Sequence, residues 1–293
     1  MNTKLTGIAR DDAAFIAEWT FHHLYFGFDE LEIIVINSTD STLSIIQKIT
    51  QTFPQINIVL RRSLLDMPSS TSELFQLSNS GYSLKLNVDE FWFPIDFKSN
   101  VREILHSKIE PHFLKLPCFR SLEDNAFSML RRKISVEPIK KQFGLIFESS
   151  RSSDTAFILK RDMRSEVEYI AAKRDFLDNF KVSSVEHHNG YKRPTKNALE
   201  MEFDEIAYEN YMDAYYSFLT LTGIKPLLKR ARLEVFERAQ QTLLQIIQLS
   251  QNVEEKEKSA LLSLFSGIKD KNLRLALAKL NVNTYHESMK TSA

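Results

Sequence analysis

The stretch Glu32-Ile33-Ile34-Val35-Ile36-Asn37-Ser38-Thr39-Asp40-Ser41-Thr42 decides how this chain reads. Residues 32–37 are a β-branched run without polar alternation, the pattern of a parallel strand covered on both faces. Ser38, Thr39, Asp40 and Ser41 then form a turn and cap a helix over 42–52, with Leu43, Ile46 and Ile49 apolar and Pro54 closing it. The same unit recurs on either side. Upstream, residues 4–9 predict a short strand and Asp11 an N-cap. Ala14, Phe15, Glu18, Trp19 and His22 follow at helical spacing, in a helix that ends at Gly27. Downstream, residues 55–61 predict a strand, 74–79 a short helix ended by Gly81, and 82–88 a further strand. Such alternation implies right-handed crossovers and a parallel sheet, hence an α/β fold. Ligands of these sheets sit beyond the carboxyl ends of the strands. The loops after Ala9, Asn37, Arg61 and Asn87 are therefore expected to share one rim carrying Arg10, Asp11, Asn37, Asp40, Asn87, Asp89 and Glu90.

Further along, residues 100–107 predict a helix capped by Ser99, and 113–119 a strand interrupted by Pro117. Short strands are expected at 143–147, 156–159 and 182–185. The basic neighbours Arg131 to Lys133, Lys140 with Lys141, and Lys160 with Arg161 read as solvated faces, one of which can neutralise a phosphate. From about residue 200 the pattern turns helical. The aromatic stripe Tyr208, Tyr211, Tyr215, Tyr216 and Phe218 reads as packing rather than a sugar platform, and His23 as a hydrogen-bonded core or rim residue. Pro226 opens a long helix with Ala231, Val235, Ala239, Leu243 and Ile246 in one stripe. A further helix is expected with Leu261, Leu264, Phe265 and Ile268, and a last one with Leu273, Leu277 and Leu280. The expected division is residues 1–200 as an α/β domain and 201–293 as a helical region, which packs within the chain, pairs two copies, or docks peripherally on a membrane-bound assembly.

Composition narrows the classes. Of 293 residues 43% are hydrophobic and 26% charged, which is globular rather than disordered. Lys plus Arg and Asp plus Glu both number 38, so no bulk positive field is available for nucleic acid. The lone Cys118 permits no internal disulfide and reads as buried rather than catalytic. No apolar run approaches the roughly 18 residues of a membrane span. Arg10, Asp11 and Asp12 stand where a signal peptide needs its apolar core, so a cytoplasmic location is expected. Glycine numbers only 7, and neither a dinucleotide-binding nor a P-loop signature occurs.

Two blocks carry a family resemblance. Arg10-Asp11-Asp12, Glu18-Trp19, His23, Gly27-Phe28-Asp29 and Val35-Ile36-Asn37-Ser38-Thr39-Asp40-Ser41-Thr42 form the first; Leu86-Asn87-Val88-Asp89-Glu90-Phe91 forms the second. In order and spacing they resemble the family-2-like and family-92-like (DUF23-type) glycosyltransferases over roughly residues 5–95, thinning out by about 190. The resemblance implies a GT-A fold and a nucleotide-sugar donor, a uridine diphosphate sugar above others. It implies inverting transfer to a glycan hydroxyl in surface polysaccharide or lipopolysaccharide synthesis. A divalent metal, manganese or magnesium, would be held by Asp89, Asn87 and a histidine; of the adjacent His187 and His188 the first is preferred, though sequence does not separate them. Arg10, Asn37, Asp40 and Asn87 would line the donor pocket. The base that takes the acceptor's proton would be Asp124, slightly preferred over Glu123. The chain departs from the pattern at Asn87 and Ile36, where the family carries acids, and at Asp11-Asp12, where it carries Asn-Glu. These changes motivate a second reading, a degenerate GT-A fold that binds nucleotide or glycan without turnover.

Overall fold

The computed structural model describes residues 2–62, 74–78, 81–107, 113–122, 130–139, 155–161, 165–174, 191, 198–252 and 263–268. The chain divides into two units, one of Met1–Leu122, Phe127–Asp162 and Asn197–Arg232, the other of Glu123–Ala126, Met163–Lys196 and Leu233–Ala293.

In the first unit β1 (Asn2–Ala9) is the hub, pairing in parallel with β2 (Glu30–Ile36) on one side and β5 (Gly81–Asn87) on the other. Strand β3 (Ile56–Arg61) joins β2, also in parallel. Ile33 to Ile36 are all buried, as a strand covered on both faces requires. Helix α1 (Ile16–Tyr25) crosses from β1 to β2, and α2 (Thr42–Thr50) from β2 to β3. The protein is thus a mixed α/β fold around four parallel strands.

Three expectations are corrected or sharpened. Of the helix expected at 74–79, the described residues Leu74–Ser78 form instead β4, an antiparallel strand between β5 and β7 (Phe113–Lys115), giving the sheet order β3-β2-β1-β5-β4-β7. Pairing partners on both sides override a weak local helical preference. The strand expected at 113–119 is interrupted at Pro117 as its sequence implies, and the interruption is a change of sheet: at Leu116–Pro117 the chain leaves the first sheet. It continues as β8 (Cys118–Ser121) in a second sheet of order β11-β9-β8-β10-β6. That sheet also contains β6 (Glu90–Pro94), β9 (Lys133–Pro138), β10 (Ala156–Lys160) and β11 (Leu199–Glu202). Third, α3 (Val101–Ser107) is opened not by Ser99 but by a reciprocal box. Glu103 N–H donates to Asn100 Oδ1 and Asn100 N–H to Glu103 Oε2, both at 2.9 Å, while Ser99 bonds Asp96.

Aromatic rings join the layers. Phe93 stacks on Phe157 and Phe203 at 5.4 and 5.6 Å. The sequence α5 (Glu205–Thr222), capped by Asp204 and stopped by Gly223 at φ +62°, lays Tyr211, Tyr215 and Phe218 against Phe21 of α1 at 5.1, 5.0 and 5.5 Å. The stripe is packing, as its spacing suggests, with Tyr216 left exposed. Cys118 is half-buried, more open than expected. The long α6 (Lys225–Asn252) buries Ala231, Val235, Ala239 and Ile246 of its expected stripe.

In the second unit α4 (Glu166–Ala172) is capped by Ser165, which accepts from Glu168 N–H at 3.1 Å. Tyr169 donates its hydroxyl to Leu264 O at 2.8 Å and packs on Tyr191 at 5.2 Å. Burial pushes both phenols up to about 12. Residues 140–141, 143–147, 182–185, 261, 273, 277 and 280 lie outside the described residues. No helix among the described residues is long and apolar enough to cross a membrane.

Candidate functional site

Parallel register brings the carboxyl ends of β1, β2, β3 and β5 to one edge, with Ala9 beside Val35, Ile36 beside Arg61, and Ile8 beside Asn87. Arg10, Asn37 and Asn87 are exposed there, and Asp89 is partly so. Asp11 does not cap α1 as its position predicts; the turn into that helix is made by Asp12 O, which accepts from Phe15 and Ile16 N–H at 2.9 Å. Asp11 instead sits at φ +54°, a conformation that Asp and Asn tolerate better than other side-chain-bearing residues. Its carboxylate accepts from Thr39 N–H at 2.6 Å and Asp40 N–H at 3.3 Å. Asp40 accepts from Thr42 N–H at 2.9 Å and from Ala13 N–H at 3.1 Å. These two acids tie the β1–α1 and β2–α2 loops to each other. Asn37, at φ +43°, donates to Arg62 O at 2.6 Å.

The turn between β5 and β6 is held from four directions. Val88 N–H donates to Ile8 O at 3.2 Å and Asn87 N–H to the buried carboxylate of Glu90 at 2.9 Å. Trp19 Nε1–H donates to Glu90 O at 2.9 Å, and Arg161 N–H to Asp89 O at 2.7 Å. What remains at the surface is the Asn87 side chain and the Asp89 carboxylate, 29% exposed, with Lys160 Nζ at 3.6 Å.

Behind the turn lies a buried polar layer. Arg161 is 6% exposed, so the Lys160–Arg161 pair is not the solvated face it resembles in sequence. Its guanidinium donates to Glu18 at 2.5 Å and stands 5.4 Å from the Phe91 ring centre; Glu18 also accepts from Leu130 N–H at 3.1 Å. His23 is a fully buried core residue. It accepts at Nε2 from Trp92 N–H and therefore donates from Nδ1 to Trp19 O at 2.8 Å. His22 has the opposite tautomer, donating from Nε2 to Trp92 O at 2.7 Å and accepting at Nδ1 from the Tyr211 hydroxyl at 3.1 Å. Burial drives the His22 pKa down to about 3 and that of His23 well below its usual value, so both rings are neutral. Burial also raises the Tyr211 phenol well above its ordinary range. The Glu18-Trp19 pair thus braces the Asn87–Glu90 turn, Trp19 directly and Glu18 through Arg161, while His23 ties Trp92 of β6 to Trp19 of α1.

Glu123, Asp124, His187 and His188 lie outside the described residues. Among the described residues no group of three or more His, Cys, Asp or Glu converges as a metal cage. A hard divalent ion that binds through phosphates needs only one or two protein carboxylates, and the oxygens of Asp89 and Asn87 have the right chemistry for that. A shallow depression lined by Gly27, Phe28, Asp29, Gln55, Asn100 and Arg102 lies at the opposite edge, where the strands begin. The acid lining it, Asp29, is paired with Arg102 and bonded by Thr3, a structural role. The sequence shows the rim but not its brace: Lys160 ends the otherwise apolar β10 and Arg161 follows it, and that ending is the available signal. No protein-family model matches the chain, and no curated protein does.

Proposed function

We propose that this protein is a GT-A-type glycosyltransferase that moves a sugar from a nucleotide diphosphate, a uridine diphosphate sugar above others, to a glycan hydroxyl with inversion. The observation that carries the reading is the Asn87–Glu90 turn. Four hydrogen bonds fix its backbone, two of them from Trp19 and Arg161, yet it displays Asp89 and Asn87 at the carboxyl edge of four parallel strands. A rigid oxygen-bearing edge is preorganised for a hard divalent cation. Asp89 and Asn87 would hold a manganese or magnesium ion, with His187 or His188 as a third ligand. When bound, that ion neutralises the leaving group. Arg10, Asn37 and Asp40 would line the nucleotide pocket; Asp40 does so through its loop, since both its oxygens already serve the protein. Asp124 or Glu123 would take the acceptor's proton. We place the enzyme in the cytoplasm, in surface polysaccharide or lipopolysaccharide synthesis, with peripheral membrane association or pairing of copies through its C-terminal helices.

Incubation with uridine diphosphate sugars, Mn²⁺ and glycan acceptors tests this by release of uridine diphosphate. The neutral Asn87 and the ion pair between Lys160 and Asp89 favour one rival, a fold that binds nucleotide without turnover. Binding of uridine diphosphate with no release from any donor would select that rival.

A further inference from the structure

The second sheet carries a row of charges at the same edge. Register aligns Glu90 of β6 with Lys160 of β10, Lys160 with Arg120 of β8, and Arg120 with Glu137 of β9. Residues aligned in this way share a face. Arg120 meets Glu137 at 3.1 Å, and Lys160 meets Glu90 at 4.0 Å and Asp89 at 3.6 Å. Each base therefore has its acid on the outer flank, while the two bases stand side by side on strands roughly 4.8 Å apart. Like charges so placed repel. Both side chains are largely covered, at 30% and 25% exposed, so water screens the repulsion only in part. An alternating row would be the relaxed arrangement; this one sets its two bases side by side at its middle, at the rim beside Asp89.

We infer that Lys160 and Arg120 form an anion seat that takes the diphosphate of the donor. The inference rests on the transferase reading and deepens it. Two linked phosphates match two adjacent bases: the planar Arg120 fork binds one phosphate at two points, and the Lys160 ammonium acts as a point charge on the other. Asp89 at 3.6 Å orients Lys160. The seat complements the loss of an acid at Asn87. Charge that a two-carboxylate site would neutralise through metal alone is here met by fixed cations, so diphosphate binding persists without a divalent ion.

Calorimetry of the full chain in excess chelator tests this, with inorganic pyrophosphate and uridine diphosphate as probes. Pyrophosphate should bind the wild type. Lys160→Gln and Arg120→Gln should each weaken it about tenfold or more, an ion pair's share of affinity. Lys160→Arg and Arg120→Lys, which keep the charge, should restore most of it, and exposed Lys48→Gln should change nothing. Absence of pyrophosphate binding in chelator, or binding by both Gln variants as tight as wild type, overturns the seat. If pyrophosphate binds with this pattern but no uridine diphosphate is released from any donor with Mn²⁺ present, the seat stands and the transferase reading falls.

Discussion

A Cβ on Gly7 would stand 2.4 Å from the Trp19 ring, closer than such contacts occur. Gly7 is therefore required by the indole rather than by its own backbone. Trp19 is fully buried and spends its Nε1–H on Glu90 O, so a displaced ring pulls on the turn that displays Asp89. Gly7→Ala is expected to cost about 1–3 kcal/mol, the usual penalty of overpacking, read from denaturant midpoints, and to weaken nucleotide binding as well. Wild-type nucleotide affinity in a destabilised Gly7→Ala would show that the turn does not depend on the ring. Asp89 itself is a surface residue, so Asp89→Asn should leave the unfolding midpoint within about 0.5 kcal/mol. It should slow transfer by at least about a hundredfold, since metal-type charge stabilisation is worth several kcal/mol.

Among the elements, the strands of the parallel sheet were legible because burial on both faces writes an unbroken apolar run, as in Ile33 to Ile36. The β4 strand was not, since its pairing with β5 and β7 is long-range and leaves no local period. The rim was legible from topology alone: polar residues at successive strand ends must share an edge. The Glu18–Arg161 brace was not, because 143 positions separate its partners. It makes a prediction at this scale. Arg161→Met leaves Glu18 buried and uncompensated, which should cost about 3–5 kcal/mol. Adding Glu18→Leu should recover most of that loss, since an apolar pair of similar volume serves a core as well as an ion pair. A double variant as unstable as Arg161→Met in chemical denaturation would mean that Glu18 acts through Leu130 N–H rather than through the ion pair.

Over the whole molecule, the neutral His22–His23 pair links stability to pH. Unfolding restores both rings to an ordinary pKa near 6.5, while the folded chain holds His22 near 3 and His23 well below 6.5. The unfolded state thus binds more protons below 6.5. The contribution of the pair is fully present above pH 6.5 and is lost as pH falls from there toward 3, at up to about 1.4 kcal/mol per pH unit per ring. Thermal midpoints should fall across that window, and His22→Gln should flatten the slope. An unchanged slope in that variant would remove His22 from the account.

The donor site is tested most directly by titrating uridine diphosphate with Mn²⁺ into wild type and Asp89→Asn by calorimetry. The account predicts wild-type binding at or below the millimolar range and at least tenfold weaker binding in the variant. No heat from the wild type at millimolar ligand, or equal affinity in both proteins, would contradict it.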